Sequence, residues 1–440
     1  MRCSGGMFTR RIPVAALAVA LLAAVGSPAQ AAWRAEEIPG TTGALPPVRT
    51  LAFDREGRAL ALFDGFVQQR RPQRFTGIVT RSPSGGWARP GDVAGVGWGS
   101  AQAHTYGRTR ALLVTRKGTR LVWATGRSDG TFGTFRQIAA GAGAFSSAAN
   151  PSGDALVAFT SPRGPVVRVS ERHAGGSFTT PRKLAGAAVR LPTVAINPRG
   201  DRVAAWFTAS GLRARVRRAG KPWGPVKKVS GDPDAGETVL RAVVSANGRF
   251  VLAWQSADVR EDRPVRLNAR VAVRARSGGW KTATLEHSSL ASEALAANPA
   301  AIPIFDSGGR LLVAYTAKRG AGTAVELADV TESARVRSIT SPSGGSANAT
   351  LDDVAAGEAG RVAVTWAEHD GSGSVRTFAA LRPGPGAFEA PSDLTPSGQP
   401  GLTGSRVAFS PLTGDAVVVR SYVAAGTGAL AAAVSSWAVR

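Results

Sequence analysis

The sequence predicts an all-β chain: a single closed β-propeller of about eight four-stranded blades, with seven as the fallback. Three observations predict it. One turn-and-strand unit recurs along the whole chain. Helical periodicity is absent throughout. The segment after Trp33 resembles the one strand that the last unit lacks.

The unit begins with an apolar strand and a tight turn closing on Gly. A second apolar strand follows, with an aromatic six residues after that Gly. It reads Gly57 to Phe63, Gly153 to Phe159, Gly200 to Trp206, Gly248 to Trp254, Gly309 to Tyr315 and Gly360 to Trp366. Two weaker copies keep the register, Thr109 to Thr115 and Gly414 to Arg420. Successive turns lie 44 to 61 residues apart, about 51 on average. Each unit continues with an alternating strand such as Arg213-Ala214-Arg215-Val216. A Gly-rich turn and an aromatic-led strand come next, as in Gly85-Gly86-Trp87 and Gly278-Gly279-Trp280. Four short antiparallel strands joined by such turns form one propeller blade. The first strands, such as Thr193 to Ile196, are small or apolar at successive positions. A strand packed on both faces needs that pattern.

The ends fit a closed ring. The eighth unit, Ser405 to Arg440, offers only three strands, and Trp33 to Pro39 reads as the fourth. Pairing them removes both free edges. Ahead of that strand, residues 1–31 read as a secretory signal peptide. Arg10 and Arg11 precede an apolar run from Ile12 to Val25, and Ala29-Gln30-Ala31 is the cleavage site. Thr9-Arg10-Arg11 leaves Sec and twin-arginine export both open. The expected mature domain, 32–440, has no Cys, because Cys3 is the only one. Disulfides, thiolate metal sites and a thiol nucleophile are therefore excluded. Ser421 to Val439 is 19 residues without a charge. That length suits a membrane span, but the repeat register reads it as strands.

The chain carries 54 Lys and Arg against 30 Asp and Glu, a formal charge of +24. Removing Arg2, Arg10 and Arg11 with the signal leaves +21. The arginines are scattered, with the densest cluster at Arg213, Arg215, Arg217 and Arg218. That distribution disfavours nucleic acid. It favours an anionic polysaccharide, a wall polymer or lipid headgroups, and an extracellular protein is the further candidate partner.

Candidate ligand residues come from long loops on one face and from register. The loops are 64–74 with Arg70 and Arg71, 255–266 with Arg260 and Asp262, and 367–374 with Glu368, His369 and Asp370. In the last, a His beside two carboxylates is the one arrangement suited to proton transfer. Eight residues before the turn Gly stand Asp352, Arg406 and Arg49, on units seven, eight and one. In a closed ring these units are adjacent, so the three charges line one sector of the central mouth. Arg suits bidentate carboxylate, sulfate or phosphate capture. The alternative is a structural Asp352–Arg406 pair. Arg241 falls one residue off this register and is expected to face elsewhere. No His or carboxylate spacing matches a zinc or EF-hand site. Asp232, Asp234, Asp352 and Asp353 could offer oxygens to calcium without a diagnostic spacing. No catalytic residue is assigned.

The repeats resemble the sialidase-like, Asp-box family of secreted bacterial propellers over 32–440. Ser128-Asp129-Gly130-Thr131-Phe132 is a compressed Asp-box, and Ser277-Gly278-Gly279-Trp280 keeps its Ser, Gly and aromatic. The resemblance implies the propeller fold. Its sialidases use an arginine triad, a tyrosine–glutamate pair and an aspartate acid. Of the three tyrosines here, Tyr106, Tyr315 and Tyr422, none is matched to a nearby Glu by motif. The leading expectation is thus a secreted, monomeric binding module. A glycoside hydrolase or lyase, and a structural envelope component, are the alternatives.

Overall fold

The structure is a computed structural model. It describes residues 33–38, 48–67, 73–93, 101–161, 164, 166–186, 190–231, 237–260, 263–290, 299–344, 348–369, 374–395, 401, 404–423 and 430–438. Residues 1–31, and with them the expected signal peptide, lie outside these.

Eight four-stranded antiparallel sheets follow one another along the chain. The first strands of the blades are Val48–Phe53, Ala101–Tyr106, Phe145–Ala149, Arg190–Ile196, Glu237–Val244, Ala301–Phe305, Ala349–Ala356 and Arg406–Phe409. Each touches the first strand of the next blade, and the first strand of blade 1 touches that of blade 8. The eight inner strands therefore surround one axis, and the sheets form a closed propeller.

Closure uses the strand read from the N-terminal segment. Arg34–Glu37 pairs with the last strand, Leu430–Trp437, from Arg34↔Ser436 to Glu37↔Ala433. The Ile38 N–H then donates to Ala432 O, and its side chain is buried. The charge-free stretch 421–439 supplies parts of the strands Ala416–Val423 and Leu430–Trp437. Among the described residues no helix is long and apolar enough to cross a membrane.

The first turn of each blade explains why the tight turn of the repeat closes on Gly and, in several units, opens on Asn or Asp. Asn197 Oδ1 accepts the Asp201 N–H, and Asp54 Oδ1 accepts the N–H groups of Glu56 and Arg58. The fourth residue turns left-handed, with φ 89° at Gly200 and 75° at Gly57, where only Gly is unstrained. The aromatic of the repeat packs back on the preceding blade. Trp206 meets Leu156 and Ala158, Trp366 meets Leu312 and Ala314, and Phe63 meets Val417 and Val419 across the closure. In blade 8 this position holds Arg420, 1 % exposed. Its Nη1 donates to Ser435 Oγ at 2.7 Å, and burial pushes its pKa down to about 10.

Two expectations about the loops are corrected. Residues 64–74 were read as a long loop, but blade 1 carries the strands Ala59–Val67 and Gln73–Ser82 into it, paired as far as Val67↔Gln73. Residues 255–266 were read as a long loop, but blade 5 extends its strands instead, as Phe250–Arg260 and Arg263–Arg274. Trp280–Leu290 runs alongside the second of these. Alternating Ala257, Val265 and Leu267 form a small core with Leu290, which keeps the extension in register.

Candidate functional site: the charged channel mouth

The inner strands carry charges at one level of the central channel. Arg241, Asp353 and Arg406 pair with Ala253, Thr365 and Val419, each just before the repeat's aromatic position. They therefore stand at the same height on blades 5, 7 and 8. Counting back from the turn Gly had put Arg241 one residue off Arg406. The cause is the turn of blade 8, which is one residue longer. Ser410 N–H bonds to Asp415 O there, whereas Ser245 N–H bonds to Arg249 O in blade 5. Arg241 thus belongs to the mouth, correcting the expectation that it faces elsewhere.

The electrostatics agree. Crowding by protein around the channel pushes the Arg241 pKa down, and the positive Arg406 pushes the same way, while Asp353 opposes them. Arg241 stays open to channel water. Among the described residues it has no hydrogen-bond or ion-pair partner.

The carboxylates of the mouth are occupied. Asp352 accepts the Gly404 N–H at 2.9 Å, the Ser405 N–H at 3.1 Å and Ser405 Oγ at 2.8 Å. Asp353 Oδ2 accepts the Val407 N–H at 3.1 Å. Burial still raises both pKa values against these bonds and against Arg406. Arg406 does not pair with the Asp352 carboxylate. It donates to the carbonyl oxygens of Asp352 at 3.2 Å, Ser405 at 2.8 Å and Arg49 at 3.5 Å. The Arg49 side chain turns outward to the buried Asp64, Nε to Oδ2 2.5 Å. So the fold does bring units seven, eight and one together, but Arg49 and Asp352 are committed to structure. Among the described residues, Arg241 and Arg406 are the guanidiniums that face the channel without a carboxylate bound to them.

The other sequence candidates divide. Arg70, Arg71, Asp262 and Asp370 lie outside the described residues, as do Asp232 and Asp234. Arg260 ends its strand, with its side chain outside the description. Glu368 and His369 close the strand Val362–His369. Glu368 Oε1 accepts the Trp366 indole N–H at 2.7 Å, and the His369 N–H reaches Asn348 O. Successive residues on a strand point to opposite faces, so the two side chains diverge.

The densest arginine cluster is not a free basic patch. Arg213 bonds Ser210 Oγ, and Arg215 bonds the carbonyls of Gly224 and Leu184. Arg218 bonds the carbonyls of Gly248 and Arg276. Arg217 joins Arg202 and Arg182 around the buried Glu171. Elsewhere Arg172, Arg249, Arg361 and Arg382 donate to the turn carbonyls of Gly153, Gly309, Gly414 and Gly360. Much of the positive charge is thus spent on fastening turns.

No family model matches the chain, and no curated protein matches it. Among solved structures, the Dos1 propeller aligns over 92% of this chain and 95% of that chain, at 10% identity and a TM-score of 0.51. The polysaccharide lyase Uly1 aligns over 78% and 90%, at 10% identity and a TM-score of 0.44. The Hadza microbial sialidase Hz136 aligns over 73% and 74%, at 13% identity and a TM-score of 0.36. The Dos1 match shows the propeller fold.

The propeller architecture expected from the repeats is thus present. Inside this propeller the Asp-box-like turn is held by its own Asp side chain. Asp129 Oδ1 accepts the Thr131 N–H at 3.0 Å and its hydroxyl at 2.5 Å, and Gly130 takes φ 88°. The fold also makes a pair that no motif revealed. Tyr315 OH donates to Glu326 Oε2 at 2.7 Å across adjacent strands. Both are buried, and burial pushes the Tyr315 pKa up to about 12, with Glu286 adding to it. A hydroxyl so placed is a core residue, because a nucleophile needs access and a lowered pKa.

His104 on the blade 2 inner strand has its Nε2 2.8 Å from Ser147 Oγ. Burial lowers its pKa to about 4. Below the free value near 6.5 the unfolded chain binds a proton that the folded one refuses. Its contribution is present above pH 6.5 and is lost as pH falls toward 4, by at most about 3 kcal/mol. His104→Gln should flatten the fall in melting temperature between pH 6.5 and 4.5. An unchanged slope would place its source elsewhere.

Proposed function

We propose that this propeller is an extracytoplasmic, monomeric binding module for an anionic extracellular polymer, a glycan or wall polymer, captured at the channel mouth. The observation that carries the reading is the Arg241–Arg406 pair. Two guanidiniums face one aperture without a bound carboxylate, while the carboxylates beside them are occupied. An anionic group between them relieves their repulsion and gains charge-assisted hydrogen bonds.

The test is retention on immobilised uronate-containing and sulfated polysaccharides across salt. Wild-type affinity should fall as salt rises, because exposed charges are screened. The double substitution Arg241→Gln, Arg406→Gln should bind at least tenfold more weakly, with a shallower salt dependence. Equal retention of the two proteins would overturn the reading. The hydrolase or lyase alternative rests on Glu368. Release of reducing ends by the wild type, abolished in Glu368→Gln, would support it over a binding module.

A further inference from the structure

The channel has a second end with different chemistry. The first turns of blades 8, 1, 2 and 3 converge there on a pocket of about 160 Å³. Its walls are Phe53, Thr105, Tyr106, Pro151 and Pro411, with Asp54 and Arg55 from the turn of blade 1. Volume decides what fits. A dry cavity of about 150 Å³ takes a benzene molecule, and drug-sized sites start near 300 Å³. One six-membered ring fills it.

Charge decides what the ring carries. The Asp54 carboxylate is already bound. Oδ1 accepts the N–H groups of Glu56 and Arg58 at 2.9 Å, and Oδ2 accepts the Ser128 hydroxyl. Arg55 is exposed, and among the described residues it has no hydrogen-bond or ion-pair partner. The basic neighbours differ, since Arg58 and Arg108 both pair with Glu56. The pocket therefore offers aromatic and proline walls and one spare guanidinium.

The geometry points to a second ligand site: the axial pocket on the turn face takes a single six-membered ring bearing one carboxylate. The ring packs against Phe53 and Tyr106, and the carboxylate meets Arg55. A hexuronate from the polymer proposed above and an aromatic carboxylic acid share this chemistry. The hexuronate source rests on that proposal, whereas the pocket does not.

The experiment is calorimetric titration of the mature domain, residues 32–440, with glucuronate, glucose and benzoate at fixed ionic strength. Arg55→Gln is titrated beside it. Arg55 sits on an exposed turn, and the melting temperature of the variant confirms folding. At least one acid should bind, at least tenfold more tightly than glucose, and Arg55→Gln should weaken it at least fivefold. Glucuronate binding would assign the polymer as source, and benzoate alone would assign an aromatic acid. Binding of neither acid, equal binding of glucose, or equal affinity in Arg55→Gln would overturn the site. Polysaccharide retention on the same preparations separates the two ideas. Retention without ring binding sinks the pocket alone, and ring binding without retention sinks the mouth alone.

Discussion

Glu171→Gln should lower unfolding stability by about 3–5 kcal/mol at pH 7, the usual cost of removing one partner from a buried ion cluster. Glu171 lies on the third strand of blade 3. Its Oε1 accepts Arg182 Nη2 at 2.6 Å and the Trp223 indole N–H at 2.7 Å. Its Oε2 accepts Nη1 of both Arg202 and Arg217, from blade 4. Burial pushes the carboxyl pKa up, but these bonds and charges outweigh it and hold it below its ordinary value. Removing the negative charge leaves Arg202 buried and three cations facing one another. Arg182 is well exposed, so its share is small, and Arg202 and Arg217 dominate. The pH dependence has a definite sign. A depressed carboxyl pKa contributes stability above the unfolded value and loses it as pH falls through the folded one. The deficit of Glu171→Gln should therefore shrink below about pH 4. Denaturant unfolding at pH 7 and pH 3.5 reads both. A loss under 1 kcal/mol at pH 7 would mean the cluster does not join blades 3 and 4.

Deleting residues 32–38 should be at least as costly, about 4–6 kcal/mol. Ile38 is buried, worth about 2 kcal/mol. Four residue pairs and the Ile38 N–H bond supply the rest, at a net ~1 kcal/mol per hydrogen bond. The deletion also exposes Leu430–Trp437 as a free edge, a template for pairing with another chain. Comparing residues 32–440 with 39–440 should show a melting temperature lower by several degrees and concentration-dependent association. Equal melting temperatures would mean that this strand does not close the ring.

The blade number, the order of strands and the closing strand were legible in the sequence for one physical reason. Turn chemistry is local. A left-handed Gly, an Asn or Asp side chain capping its own turn and an aromatic six residues on are all encoded within about ten residues, and they repeat. The identity of the inner strands was legible too, because packing on both faces forces small or apolar residues.

The site was legible only in part, because it depends on register between blades that never touch in sequence. Arg406 and Asp352 were found by counting from the turn Gly. Arg241 was missed because the turn of blade 8 is one residue longer. Counting from the first turn residue would have found it. Arg49 was placed at the mouth, yet its guanidinium goes to Asp64, since a buried carboxylate captures the nearest cation. Composition gave the charge of +24, but not where it is free. Tertiary structure decided that. It sets Arg215, Arg218, Arg249 and Arg382 on backbone carbonyls and Arg202 and Arg217 on Glu171. Among the described residues it leaves Arg241 without a partner at one end of the channel and Arg55 at the other, and it holds Arg406, beside Arg241, on the carbonyls of Asp352, Ser405 and Arg49. Local patterns determine which strands form. Which charges are left without a partner is a property of distances across the ring, and only the folded chain has those.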